Sequence, residues 1–190
     1  MLEEKFELDS FIGGWYIDPK ICDDIINYFN NSDKKKKGFV VVDGKQVQNL
    51  DYKCSTDISL DASDSLFDEY NKQLGSCIEK YMEKYIETKQ DYAYYESSVE
   101  QYNIQRYLPK EGFKKWHCER CQISSRCLVF MTYLNDVEDG GTYFKYQNIL
   151  TKAKKGLTLI WPTDFTHTHK GQISNKETKY VLTGWFNFIK

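Results

Sequence analysis

The sequence has no long apolar run and no strong excess of charge of either sign. No stretch approaches the ~18 consecutive apolar residues that a membrane-spanning helix needs. The acidic start, Met1 to Lys5, lacks the apolar core of a signal peptide. The formal net charge of −2 gives no support to a general attraction to nucleic acid or to membrane surfaces. We therefore expect a cytoplasmic protein with neither kind of partner.

The cysteine spacing of a small secreted protein is also missing. The six cysteines are Cys22, Cys54, Cys77, Cys118, Cys121 and Cys127. In a cytoplasmic chain such residues favour free thiols over a disulfide framework. The Cys118-x-x-Cys121 pair offers a structural zinc site as an alternative, which would be supported by bound zinc with thiolate ligands. Because no second pair at zinc-finger spacing accompanies it, we expect free thiols.

The amino-acid composition is that of a globular protein rich in aromatic residues. Of its 190 residues, 41% are apolar and 16% are aromatic, which suits a single domain over residues 1–190 with a large strand content. Residues 1–98 are interpreted as helical and irregular support. Asp18-Pro19 predicts a helix start. A second helix is predicted over Ser65 to Thr88, and most of its apolar stripe at steps of three and four is expected to lie in the core. The stripe consists of Leu66, Tyr70, Leu74, Cys77, Tyr81 and Tyr85.

Between these helices, Lys34 to Lys37 predicts a solvated loop, Phe39 to Val42 a short strand and Asp43-Gly44 a turn. Residues 99–190 have a different texture, with short apolar or alternating runs separated by turn residues. The runs are Val99–Leu108, Trp116–Glu119, Cys127–Leu134, Thr142–Tyr146, Leu157–Trp161 and Lys179–Ile189. Short strands at this spacing predict an antiparallel sandwich or barrel.

The three histidines of the chain all lie in this strand-rich half. In a strand, His117 and Glu119 would point to the same face, about 6.5 Å apart along it. His167 and His169 follow the predicted strand Leu157–Trp161, and one of them would complete a set of two histidines and a carboxylate. That set binds Fe(II) and leaves positions open for other ligands, whereas a structural zinc site is closed.

A lysine lies in the last predicted strand. Lys179, Val181, Thr183 and Trp185 share one face of it. A buried ammonium group without a partner is costly, so an anionic ligand would explain Lys179, with Thr183 adding a hydroxyl donor. The alternative is a lysine at the strand edge that reaches solvent.

Four segments in order resemble the 2-oxoglutarate and Fe(II)-dependent dioxygenases, in particular the prolyl-4-hydroxylase-like branch, over about residues 99–189. The segments are His117-Cys118-Glu119, Tyr133-Leu134-Asn135 continuing to Gly140-Gly141-Thr142, Lys154-Lys155-Gly156, and His169 with Lys179 ten residues later. The one departure is Glu119, since the common ligand in this family is Asp.

The resemblance implies a mainly β fold with supporting α-helices, whose core is a double-stranded β-helix, the jelly-roll of cupin-like proteins. It implies Fe(II) held by His117, Glu119 and His169, and 2-oxoglutarate with its far carboxylate on Lys179 and with Tyr107, Tyr133 and Thr183 at pocket positions. His169 is favoured over His167 because it precedes Lys170-Gly171 and lies ten residues before Lys179.

The resemblance further implies O₂ as co-substrate, ascorbate as a candidate reductant and hydroxylation of a C–H bond with release of succinate and CO₂. The family-weighted substrate is a peptidyl proline in a protein or peptide partner. Two alternatives stay open: an oxygenase acting on a non-proline substrate, and a non-catalytic jelly-roll module that binds a metal or ligand without decarboxylating 2-oxoglutarate.

Overall fold

Two helices, a short third helix and sixteen strands make up the computed structural model, which describes residues 1–42, 45–91, 95–96, 101–120 and 125–188. The helices are α1 (Pro19–Asn31), α2 (Asp68–Lys84) and α3 (Glu87–Asp91). The strands are β1 (Glu3–Glu4), β2 (Gly13–Tyr16), β3 (Lys36–Lys37), β4 (Val40–Val42), β5 (Lys45–Val47), β6 (Lys53–Cys54), β7 (Thr56–Leu60), β8 (Tyr95–Glu96), β9 (Tyr102–Tyr107), β10 (Gly112–Phe113), β11 (Arg126–Tyr133), β12 (Thr142–Phe144), β13 (Ile149–Leu150), β14 (Leu157–Pro162), β15 (His169–Gly171) and β16 (Lys179–Phe188).

Most of the described strands form a large sheet and a small sheet of a double-stranded β-helix, and two further pairs are β4 with β5 and β6 with β10. The large sheet has the order β1-β2-β14-β11-β16-β9-β7-β3, with β8 also pairing with β16, and all its pairs are antiparallel. The small sheet has the order β13-β12-β15, and a single bridge between His117 and His169 extends it. The predicted jelly-roll class is confirmed.

Strand alternation separates two cores on the two faces of the large sheet. On one face, α1 and α2 pack against residues such as Phe130, Ile160 and Leu182. On the other face, Val129, Trp161 and Val181 belong to an inner cluster between the sheets. His169 lies on β15 of the small sheet, with His117 bridged to it, whereas the helices pack on the opposite face of the large sheet and support the barrel from outside.

The local signals of the first half have clear structural counterparts. The Asp18 carboxylate accepts a hydrogen bond from the Lys20 backbone over 2.8 Å and begins α1. The second predicted helix is divided: a 3₁₀ turn over Ser65–Phe67 precedes α2, and α3 follows it. The helical stripe from Tyr70 to Tyr85 is buried as predicted.

The first 98 residues also contribute strands to the large sheet, namely β1, β2, β3, β7 and β8. Lys36 and Lys37, which the sequence predicts in a loop, are an exposed edge strand paired with β7. Val40–Val42 is a strand that pairs with β5, whereas the predicted Asp43-Gly44 turn lies outside the described residues. In the part of the chain that the structure covers, no helix is long and apolar enough to cross a membrane.

The glycine of the Lys154-Lys155-Gly156 turn has a conformational reason to be there. Its φ of +83° lies in the left-handed region, which side chains other than that of glycine seldom adopt. A Cβ at this position would also lie 2.6 Å from the backbone oxygen of Ile17. β14 begins directly after this turn, and His167 and His169 follow β14 along the chain.

Candidate active site

Three side chains from distant parts of the chain converge inside the barrel. The backbones of His117 and His169 form two hydrogen bonds with each other. The His117 nitrogen lies 3.0 Å from the His169 oxygen, and the His169 nitrogen lies 2.8 Å from the His117 oxygen. Oε1 of Glu119 lies 3.4 Å from Nε2 of His117 and 3.7 Å from Nε2 of His169. All three ligand atoms lie within 4.8 Å of one another, so they could hold one metal ion.

The segment that carries the first two of these residues differs from its predicted strand. Only the bridge at His117 is formed over Trp116–Glu119. The backbone N–H groups of Glu119 and Arg120 both donate to the oxygen of Thr163 over 3.1 Å, which interrupts a regular ladder. The imidazole and the carboxylate nevertheless reach the same site.

Both histidines are oriented by backbone carbonyl groups. Nδ1 of His117 lies 3.1 Å from the oxygen of Lys115, and Nδ1 of His169 lies 2.9 Å from the oxygen of His167. A carbonyl oxygen only accepts hydrogen bonds, so the proton of each neutral imidazole is on Nδ1. The Nε2 lone pairs therefore face the Glu119 carboxylate, an arrangement that repels itself unless a cation lies between them.

The ionisation of His169 and Glu119 also suits a cation. Burial lowers the pKa of His169 to about 4, with a further contribution from His117, so the imidazole is neutral at pH 7. Burial alone would raise the pKa of Glu119, but His117, His169 and Arg126 together lower it to about 2. A neutral His169 imidazole and an ionised Glu119 carboxylate belong to the donor set of two histidines and a carboxylate that suits a non-haem Fe(II) site, so the residues present fit the metal that the sequence suggests.

Aromatic side chains enclose the two histidines. The ring of Phe113 stacks on that of His117, with centroids 3.6 Å apart and planes at 13°. Trp161 and Phe144 contact His169, at centroid distances of 5.1 and 5.7 Å. These walls limit the rotation of the imidazoles and exclude water from their faces.

His167 lies apart from this cluster. It ends a 3₁₀ turn, and its Nε2 bonds to the oxygen of Ser10 over 2.9 Å while its Nδ1 faces the Thr166 hydroxyl at 3.0 Å. The structure thus brings His169, and not His167, next to His117 and Glu119. Among the described residues Cys118 is a free thiol outside the cluster, and Cys121 lies outside the described residues.

Lys179 is buried at the start of β16, with 6% of its surface exposed. Its ammonium group donates to the oxygens of Gly140 and Gln172 over 2.8 and 3.0 Å. Burial lowers its pKa to about 8, although Asp139 acts in the opposite direction. No carboxylate of the described residues forms an ion pair with it, so an anionic ligand could bind there; a lysine that reaches solvent does not match this burial.

The other three residues expected in the pocket lie on the same face of the large sheet. Tyr107 pairs with Lys179 in register, with the ammonium nitrogen 5.5 Å from its ring centroid, and its hydroxyl donates to Gln105 over 2.7 Å. Thr183 is half-buried, four residues along β16. The Tyr133 hydroxyl lies between those of Thr142 and Thr151, at 2.7 and 2.8 Å.

Two contacts of Glu119 could not be read from the sequence. Its other oxygen, Oε2, accepts a hydrogen bond from the indole nitrogen of Trp185 over 3.1 Å and lies 3.7 Å from Nη1 of Arg126. The alternation of β16 did place Trp185 on the same face as Lys179, but no local signal linked either residue to the carboxylate. Pairing of β11 with β16 brings them together.

Fold and site together define a double-stranded β-helix protein with an inner site of two histidines and a carboxylate. Residues 102–187 match the family model described as the 2OG-Fe(II) oxygenase superfamily. This part of the chain, which contains the two histidines and the carboxylate, is similar to that superfamily, and the match supports a dioxygenase that depends on Fe(II) and 2-oxoglutarate. No curated protein matches it by sequence.

Solved structures of prolyl hydroxylases have the same fold. A viral collagen prolyl hydroxylase from Paramecium Bursaria Chlorella virus-1, in a 2OG complex, matches with a TM-score of 0.67 and 16% identity over 94% of this chain and 97% of that one. A Trichoplax adhaerens prolyl hydroxylase in complex with a hypoxia inducible factor peptide fragment matches with a TM-score of 0.72 and 13% identity, over 94% and 84%. A Pseudomonas putida prolyl-4-hydroxylase matches with a TM-score of 0.67 and 11% identity, over 94% and 92%.

Proposed function

We propose that this protein hydroxylates a C–H bond of a peptidyl residue, with proline as the first candidate, and releases succinate and CO₂. His117, Glu119 and His169 would hold the Fe(II), and Lys179 would bind the far carboxylate of 2-oxoglutarate. The observation that carries the proposal is the convergence of two Nε2 lone pairs and one carboxylate oxygen, all acceptors, on one point between the buried His169 and the half-buried His117 and Glu119.

The Lys179 environment supports the same cofactor from a second direction. The ammonium group of Lys179 donates hydrogen bonds only to backbone carbonyl groups among the described residues. A ligand carboxylate would form an ion pair with it at a buried position, where a hydrogen-bonded ion pair is strong. Tyr107 borders the ammonium, and Thr183 could donate a hydroxyl from the same face of β16. Tyr133 would help to shape the wall, with its hydroxyl bound to two threonines.

When bound, Fe(II) and 2-oxoglutarate supply the oxidising chemistry. The chain's own residues do three things for it. The Lys115 and His167 carbonyls hold both imidazoles with Nε2 directed at Glu119; Phe113 and Trp161 keep water from the ring faces; and Lys179 orients the keto acid. Ordering of reactants by such fixed groups removes most of the entropy cost of their encounter.

A peptide substrate is supported by the Trichoplax adhaerens prolyl hydroxylase, whose structure contains a peptide fragment. Proline is proposed because the structural relatives named above are prolyl hydroxylases. The substrate is tested by incubating poly-L-proline and a proline-free peptide of matched length with the protein, Fe(II), 2-oxoglutarate, ascorbate and ¹⁸O₂. Labelled hydroxyproline would support the assignment, whereas label in the proline-free peptide alone would favour the non-proline alternative.

The cofactor assignment is tested by anaerobic titration of Fe(II) and 2-oxoglutarate, followed by the visible charge-transfer band of the chelate. We expect the band in the wild type and in His167→Ala, and its loss in His169→Ala. His167→Ala is the matched control, because it removes the neighbouring imidazole that bonds to Ser10 instead. A band without any 2-oxoglutarate turnover, even with peptides, would favour the non-catalytic binding module.

A further inference from the structure

The two oxygens of Glu119 face different partners. Oε1 points to Nε2 of both histidines, at 3.4 and 3.7 Å. Oε2 accepts the indole N–H of Trp185 over 3.1 Å, with Nη1 of Arg126 at 3.7 Å. The two partners also support each other, because the guanidinium carbon of Arg126 lies 3.5 Å above the Trp185 ring centroid.

This asymmetry matters because Glu119 is longer than the Asp found in most of the family. An extra methylene lets the carboxylate approach a metal ion with either oxygen or with both. If both oxygens bound, the protein would occupy four positions of a six-coordinate ion instead of three, which leaves two for water, 2-oxoglutarate and O₂ together.

We propose that Trp185 and Arg126 form a clamp that restricts Glu119 to one metal-binding oxygen. This inference rests on the proposed function and deepens it. Neither residue would touch the metal or the substrate; both are positioning residues that act through Oε2. The indole N–H donates a hydrogen bond to Oε2, and the guanidinium group adds charge at a longer distance.

The placement of the clamp supports a role beyond surface charge pairing. The side chains of Glu119 and Arg126 are only 18% and 23% exposed, so their contact is less screened than an exposed ion pair. Trp185 extends from β16, the strand that also carries Lys179. One strand would thus orient both a metal ligand and the anchor for the keto acid.

The test counts water molecules on bound Mn(II), a six-coordinate stand-in for Fe(II), through the relaxation of bulk water protons. With three protein ligand atoms, three positions are left for water; with four, two are left. We expect Trp185→Phe, which keeps an aromatic ring under Arg126 but removes the N–H, to lower the inner-sphere relaxation by about a third.

A double-mutant cycle separates the clamp from a general loss of structure. The shorter carboxylate of Glu119→Asp draws back from Trp185, so adding Trp185→Phe in that background should leave the relaxation unchanged. An unchanged relaxation in the Trp185→Phe single variant would overturn the proposal, and so would an equal fall in both backgrounds. Thermal unfolding of the four proteins checks that each is folded.

The clamp and the proposed function fail in different ways. A wild type that relaxes water normally but binds no 2-oxoglutarate would overturn the proposed function, while the effect of Trp185→Phe would still support the clamp. A wild type that forms the Fe(II)–2-oxoglutarate band, beside a Trp185→Phe variant with unchanged water relaxation, would retain the function and reject the clamp.

Discussion

The backbone oxygen of His167 accepts a hydrogen bond from Nδ1 of His169 over 2.9 Å. The two histidines are neighbours in sequence, yet their imidazoles have separate surroundings. The His167 ring bonds to the Ser10 oxygen and ties the N-terminal segment to the barrel. The His169 ring faces Glu119, with its tautomer fixed by the His167 carbonyl.

Because of this separation, we expect a bound metal ion to stabilise His167→Ala but not His169→Ala. Adding Mn(II) at about 100 times its dissociation constant should stabilise the wild type and His167→Ala by about 2.7 kcal/mol, because the ion binds only the folded state. His169→Ala should show almost none of this stabilisation. Thermal unfolding with and without Mn(II) measures it, and an equal metal effect in His169→Ala would contradict the proposed ligand set.

The buried ammonium of Lys179 predicts a pH dependence of 2-oxoglutarate binding. Burial lowers its pKa to about 8, so in the ligand-free protein the group is charged below that pH and neutral above it. Affinity for the dianion should be constant below about pH 8 and fall by up to about tenfold per pH unit above it. Isothermal titration with Mn(II)-loaded protein between pH 6.5 and 9.5 measures this fall.

Two variants test whether Lys179 causes that fall. Lys179→Arg stays charged over the whole range, so its 2-oxoglutarate affinity should lose the dependence, whatever its absolute value. Lys179→Met should weaken 2-oxoglutarate at every pH while metal affinity stays within a few-fold. If the affinity of Lys179→Met equals that of the wild type, the anchor lies elsewhere.

Much of the fold could be predicted because strands and motifs have recognisable local sequence patterns. Alternation placed β9, β11, β14 and β16 within a few residues of their observed bounds. Its failure at Trp116–Glu119 has a tertiary cause: Thr163 takes the backbone donors of Glu119 and Arg120. The helix predicted over Ser65 to Thr88 is interrupted at Tyr85, where φ is −122° and ψ is 77°; its apolar spacing carries no sign of that break.

The convergence of the three candidate metal ligands could be predicted for a similar reason. Histidines are few in this chain, so a resemblance could place His117, Glu119 and His169 in one site without knowledge of their contacts. The environment of Glu119 could not be inferred this way. Trp185 and Arg126 reach Oε2 only through the pairing of β11 with β16, and the resulting contacts depend on side-chain directions that spacing does not specify.

Replacing Tyr133 tests whether its hydroxyl stabilises the pocket wall or binds 2-oxoglutarate. Its buried hydroxyl lies 2.7 and 2.8 Å from those of Thr142 and Thr151, so Tyr133→Phe should cost about 1–3 kcal/mol of unfolding free energy by leaving polar groups without a partner. The 2-oxoglutarate affinity should change by only a few-fold. Urea unfolding and ligand titration measure the two effects, and a large loss of affinity at unchanged stability would reassign the hydroxyl to the ligand.

Gly141 predicts a sharp steric effect in the segment that also supports Lys179. A Cβ at this position would collide with the backbone oxygen of Thr151, and backbone cannot move aside as a flexible side chain can. Gly141→Ala should therefore destabilise the protein by about 1–3 kcal/mol. It should also weaken 2-oxoglutarate binding, because the neighbouring Gly140 oxygen accepts the ammonium of Lys179.

Gly75 supplies the matched control for this substitution. It lies within α2, and a Cβ there would meet no atom within 4 Å. Gly75→Ala should stabilise the protein by about 0.5–1 kcal/mol, because alanine loses less backbone freedom in a helix, and should leave 2-oxoglutarate affinity unchanged. Denaturant unfolding of both variants compares them directly. If Gly141→Ala were as stable as Gly75→Ala, the close approach of Gly141 to Thr151 would not be a constraint on the fold.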